Sequence, residues 1–113
     1  MHELSLCGAI ADIAARRAGD RAVEVIHLEI GQLRQVVPDS LTFCWSMLTA
    51  STALDGSVLD VERVAARLSC RACAAEFGLT DSFTFACAAC GGLDVAVLAG
   101  EEFVVTALEF APA

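Results

Sequence analysis

From Leu4 to Ala18 the apolar residues Leu6, Ile10, Ile13 and Ala14 recur at helical spacing, with Asp12, Arg16 and Arg17 elsewhere on the surface. That pattern predicts a helix, and Gly19 suits its end. Between Ala22 and Ile30 the period shortens to two, with Ile26, Leu28 and Ile30 alternating with Val25, His27 and Glu29. A strand with one face on a core is expected there, closed by Gly31. A loop from Gly31 to Val37 then leads into Pro38-Asp39-Ser40. Proline in a first turn with an acid beside it favours a helix start. Leu41, Cys44, Trp45 and Leu48 follow at i, i+3, i+4 and i+7, one apolar stripe of a second helix. Asp55-Gly56 signals a turn, and Leu59 and Val61 alternate with Asp60 and Glu62 in a second strand. After Gly100, residues Phe103 to Phe110 are apolar and β-branched enough for a third.

The interval between the second and third strands holds two Cys-x-x-Cys pairs. Cys70-Arg71-Ala72-Cys73 is followed, after thirteen residues, by Cys87-Ala88-Ala89-Cys90. Two residues between sulfurs let both thiolates of one knuckle reach the same ion, and a second knuckle completes a tetrahedron. Zinc held by four thiolates is the leading reading of this spacing. Disulfide pairing or a redox Cys-x-x-Cys motif is the alternative, although redox chemistry needs one pair rather than two. The segment is too short for a core of its own, so the metal is expected to act as its core. Gly91 and Gly92 follow the second knuckle, where a tight turn needs permissive backbone angles. Cys7 and Cys44 sit in apolar segments and read as small buried hydrophobes.

The expected fold is therefore α+β. A small three-stranded sheet with two helices carries an inserted zinc-ribbon-like lobe with a four-cysteine zinc site, and the last strand returns to the sheet from which the insert departs. Residues 1–67 and 100–113 form one domain in this reading, and residues 68–99 the zinc-binding one.

Composition narrows the function. The formal charge of −8 would be repelled by phosphate, and all seven basic residues are arginines with no run beyond Arg16-Arg17, so a nucleic-acid partner is not expected. Although 57% of residues are hydrophobic, no apolar run approaches membrane-spanning length. The start carries an acid at position 3 and no secretory signal pattern, which together with metal-type cysteines favours a reducing cytoplasm. Four cysteines on one zinc leave no open position for water, and two histidines complete no catalytic set, so no enzymatic activity is expected.

The amino terminus reads Met1-His2-Glu3. A solvated chain end is the plain reading of a histidine there. A free α-amine, an imidazole one residue on, and the amide nitrogens between them can also close chelate rings around one metal. Nitrogen sets of that kind suit Ni(II) or Cu(II), with Glu3 able to add an oxygen or orient the ring. Histidine is too large for routine removal of Met1, so His2 is expected to stay second. The other histidine, His27, lies mid-strand and reads as an ordinary sheet-face residue with no metal role.

Taken together, Met1-His2-Glu3-Leu4-Ser5-Leu6-Cys7, Leu28-Glu29-Ile30-Gly31 with Pro38 and Leu41 to Cys44 downstream, the knuckles with Cys90-Gly91-Gly92, and Gly100-Glu101-Glu102 resemble the HypA/HybF family of hydrogenase nickel-incorporation proteins. The resemblance covers nearly the whole chain. It implies a nickel metallochaperone for [NiFe]-hydrogenase, or in some organisms urease, that binds nickel through the Met1 amine, backbone nitrogens, His2 and Glu3. It further implies structural zinc on Cys70, Cys73, Cys87 and Cys90, a hydrogenase-maturation GTPase as partner, and the hydrogenase large-subunit precursor as recipient. A monomer or weak homodimer is expected. Some members add an acidic side chain from the loop before the second helix; in this chain Asp39 is open to that role or to helix capping. A zinc-ribbon interaction module without nickel delivery is the alternative function.

Overall fold

The computed structural model describes residues 3–79 and 84–112. The chain opens with α1 (Glu3–Ala18), continues through β1 (Val23–Gly31) and a single 3-10 turn (Gln32–Arg34), and enters α2 (Pro38–Thr49) and β2 (Val58–Val64). Three short strands follow, β3 (Arg67–Cys70), β4 (Glu76–Phe77) and β5 (Val95–Ala99), before β6 (Phe103–Phe110). The first sheet has the order β2-β1-β6, and the second β4-β3-β5.

In the first sheet β1 runs parallel to β2 and antiparallel to β6. A parallel pair needs a crossover, and α2 supplies it. The inward residues Ile26, Leu28 and Ile30 of β1 are buried against Leu6, Cys7, Ile10 and Ala14 of α1 and Leu41 and Trp45 of α2. Both helices therefore cover one face, as the two periodicities require. Trp45 also ties α2 to the turn before β2, because its indole N–H lies 3.2 Å from the Ser57 carbonyl and 3.1 Å from the Ser57 hydroxyl. A buried indole needs such a partner, and here Ser57 supplies it.

Two expectations are corrected at this level. Leu48 lies outside the buried stripe, at 38% exposure, and Thr49 is buried in its place. The Thr49 hydroxyl is satisfied by the Trp45 carbonyl at 2.8 Å, so its burial leaves no orphan donor. The cysteine segment is also not without a core. Leu68 and Phe77 are buried around Cys70 and Cys87, with Ala75, Leu79 and Val95 packed against them. Strands of two to five residues gave no periodic signal long enough to read.

The end of β1 holds both connections to the second sheet. Gly31 N–H donates to Glu102 O at 2.8 Å and Leu33 N–H to Gly100 O at 2.8 Å. On the outgoing connection, Ala66 N–H donates to Gln32 Oε1 at 2.9 Å. On the returning one, Arg34 Nε donates to Glu101 O at 2.9 Å. The backbones approach so closely that a Cβ on Gly31 would stand 2.0 Å from the Gly100 carbonyl oxygen. Gly100 itself has φ +116°, and a Cβ there would meet Ala66 Cα at 2.7 Å.

Gly31→Ala is therefore expected to destabilise the protein by about 3 kcal/mol or more, because main chain must move to relieve the overlap. Gly8→Ala, inside α1 with open space around the added methyl, should instead stabilise by about 0.5–1 kcal/mol. Chemical denaturation midpoints of the two variants check both signs.

Candidate metal centre

Cys70 ends β3 and begins the first knuckle, and Cys87 begins the second. Each knuckle closes in the same way. Ala74 N–H reaches the Cys70 carbonyl at 2.8 Å, and Gly91 N–H reaches the Cys87 carbonyl at 2.8 Å. The residue four past the first cysteine must turn into the left-handed region: Gly91 has φ +75° and Ala74 φ +64°. Glycine adopts that conformation freely, whereas alanine pays about 1–2 kcal/mol for it. Sulfur acceptors are served by backbone amides, Ala89 N–H on Cys87 Sγ and Gly92 N–H on Cys90 Sγ, both at 3.4 Å. Gly92 also keeps the space open, since a Cβ there would lie 3.3 Å from Cys90 Sγ and 3.9 Å from Cys70 Sγ.

All four sulfurs lie within 4.8 Å of one another. Cys70 and Cys90 are 3.7 Å apart at Sγ, and Cys73 and Cys87 3.6 Å. A disulfide needs about 2.05 Å, and none of the four is in one. A tetrahedron with metal–sulfur distances of about 2.3 Å has edges of about 3.8 Å, which these separations match. The protonation pattern points the same way. The Cys90 amide, helped by the Ala89 amide and opposed by burial, holds the Cys87 thiol down at about 6. Cys73 is pushed up to about 12: its Ala75 amide works against that rise, but the hydrogen bond to Cys87, burial, and Cys70 and Cys90 outweigh it. Four sulfurs this close cannot all ionise alone, and a divalent cation removes the conflict.

The sequence placed these four cysteines together, and the structure does so. Met1 and His2 lie outside the described residues. Glu3 opens α1 and is half-buried, its carboxylate in the first turn where it complements the helix dipole. Asp39 does not cap α2, because Val37 is the N-cap with no side-chain cap bond and Asp39 is exposed in the first turn. Cys7 is fully buried with its thiol 3.5 Å from the Leu41 carbonyl. Burial first, then Cys44 and Glu3, push it up to about 11, as suits an inert core thiol. That contact sets the beginning of α1 beside the beginning of α2. His27 is a sheet-face residue, as expected, but it is held between Asp60 and Glu109. Periodicity could give its face, not its cross-strand partners.

With the cluster and fold in place, the comparison with known proteins is decisive. The family described as hydrogenase/urease nickel incorporation, metallochaperone, HypA matches residues 1–110. This chain belongs to the HypA family. Hydrogenase maturation factor HypA of Geotalea uraniireducens is 47% identical over 109 residues, covering 96% of this chain and 98% of its own. The HypA of Geobacter metallireducens is 41% identical over 109 residues, with the same coverages, and that of Streptomyces avermitilis 39% over 114 residues, covering 97% and 87%. The solution structure of the Ni metallochaperone HypA from Helicobacter pylori superposes with TM-score 0.66 at 19% identity over 97% of both chains, which establishes the shared fold. Among the described residues no helix is long and apolar enough to cross a membrane.

Removing metal with a strong chelator should collapse residues 67–99 while leaving the first sheet and both helices folded. Amide NMR dispersion lost only from that segment, with helical circular dichroism retained, is the expected result. Ala74→Gly should raise the metal-loaded stability by about 0.5–1 kcal/mol, read as a higher unfolding midpoint, because it relieves the one left-handed alanine of the site.

Proposed function

We propose that this chain is a nickel metallochaperone for [NiFe]-hydrogenase maturation, carrying an exchangeable nickel site and a separate structural zinc site. The observation that carries the reading is the HypA match over residues 1–110, spanning both the terminal Met1-His2-Glu3 and the four-cysteine cluster.

Zinc suits the cluster. Four thiolates form a closed site that favours a soft-tolerant, tetrahedral ion, and zinc there stabilises folding without an open coordination position. Nickel is cargo rather than a resident cofactor. The Met1 amine, backbone nitrogens and His2 imidazole offer it a nitrogen-rich set that a thiolate cage does not, with Glu3 adding or orienting a ligand. A site of few ligands at a chain end binds more weakly than the cage, which transfer requires. Residues 1–67 with 100–113 form the nickel-binding domain, and residues 68–99 the zinc-binding one. The protein has no catalytic activity of its own and works in the cytoplasm as a monomer or weak homodimer. It hands nickel to the hydrogenase large-subunit precursor together with a maturation GTPase.

Calorimetric nickel titration of zinc-loaded protein with an untagged terminus should give one nickel per chain at micromolar affinity, about −8 kcal/mol. His2→Ala, and separately an N-terminal extension that blocks the α-amine, should each weaken it about 100-fold or more while zinc content stays at one per chain. Undiminished nickel binding in both would overturn the terminal site and leave a zinc-ribbon interaction module.

A further inference from the structure

His27 lies on the open face of the first sheet, on its central strand. The register sets it directly across from Asp60 of β2, while Glu109 of β6 stands diagonally, opposite Val25. Its Nδ1 is 2.8 Å from Asp60 Oδ2, and its Nε2 is 2.5 Å from Glu109 Oε2. A neutral imidazole has one N–H and one lone pair, whereas imidazolium has two donors. With a carboxylate on each nitrogen, a neutral ring would set its lone pair against a carboxylate oxygen. Only the charged ring satisfies both.

We infer that His27 is a proton-dependent staple that holds both edge strands, β2 and β6, to β1 while its ring is charged and lets go of one carboxylate when the ring is neutral.

The charges on this face favour the protonated ring. Along β1 the neighbours on this face are Val25 and Glu29. From β2 the face presents Asp60 and Glu62, the latter directly opposite Glu29. From β6 it presents Glu109 and Ala107, and the Thr106 hydroxyl donates to the His27 carbonyl at 3.3 Å. The only other cation in these three strands is Arg63, which lines a cleft with Ile30, Leu41 and Val61 on the helix-covered side. The hydrogen bond to Glu109, opposed by partial burial and reinforced by Asp60, accordingly raises the His27 pKa above its ordinary 6.5. The trio is not built for a metal ion, because the two carboxylates sit on opposite edges of the ring and do not converge.

The sign of the linkage follows. A folded-state pKa above the unfolded one gives stability that is fully present below about pH 6.5 and lost as pH rises through the raised value. The loosening falls on the two edge strands that carry both chain connections to the cysteine lobe, β2 leaving toward β3 and β6 arriving from β5.

The test is the melting temperature of zinc-loaded wild type against His27→Gln between about pH 6 and pH 9. Both proteins carry the same thiolate cluster, so its own pH dependence cancels in the difference. Wild type should melt several degrees higher near pH 6, with the gap closing by pH 9. An NMR titration of the His27 ring should have its midpoint above 6.5 and move down toward 6.5 in Asp60→Asn and Glu109→Gln. A gap that does not change with pH, or a wild-type midpoint at or below 6.5, would overturn the staple. The ring titration decides the matter even if His27→Gln folds poorly.

Discussion

The structure turns on a backbone contact at the end of β1, where Gly31 meets Gly100. β2 runs parallel to β1 and β6 antiparallel to it. The chain thus leaves the first sheet and re-enters it at the same end, on either side of the same strand. An insert can be accommodated there only if both connections pass close to the tip of β1. Four hydrogen bonds from residues 31–34 hold them there, and two glycines allow the approach that a Cβ would block. The cysteine lobe is consequently fastened to the α/β frame through main chain and short polar contacts, with its own small core kept separate from the larger one.

That separation suits the proposed pair of metals, whose requirements are opposite. A cage of four thiolates with amide-supported sulfurs is closed, with no coordination position left open. A cargo site must exchange, and in the proposed division it lies at the other chemical extreme, with nitrogen donors at a chain end. Raw affinity alone would not keep two neighbouring first-row metals in their places, so ligand type has to do so. The acidic surface is compatible with cation traffic and argues against a nucleic-acid role.

Much of this was legible in the residues. Helix and strand periods gave α1, β1, α2, β2 and β6 in order, since each buries a regular face in one core. Knuckle spacing gave the cluster, because two intervening residues nearly dictate the turn. What failed to show was set by partners distant in sequence. The second sheet is built from strands too short for a period, and it exists because the knuckles and Leu68 and Phe77 bring them together. Gln32 and Arg34 read as loop, yet they pin the two connections. Leu48 matched the helical stripe, but the slightly rotated face buried Thr49 instead. His27 showed its face and not the carboxylates that reach it from both neighbouring strands.

The central claim is that two metals occupy chemically distinct seats in one chain. X-ray absorption at the zinc and nickel edges of the same doubly loaded sample tests it most directly. The account predicts zinc surrounded by four sulfurs at about 2.3 Å and nickel surrounded by nitrogen and oxygen only. Sulfur in the nickel shell, or nitrogen and oxygen replacing sulfur around zinc, would contradict it.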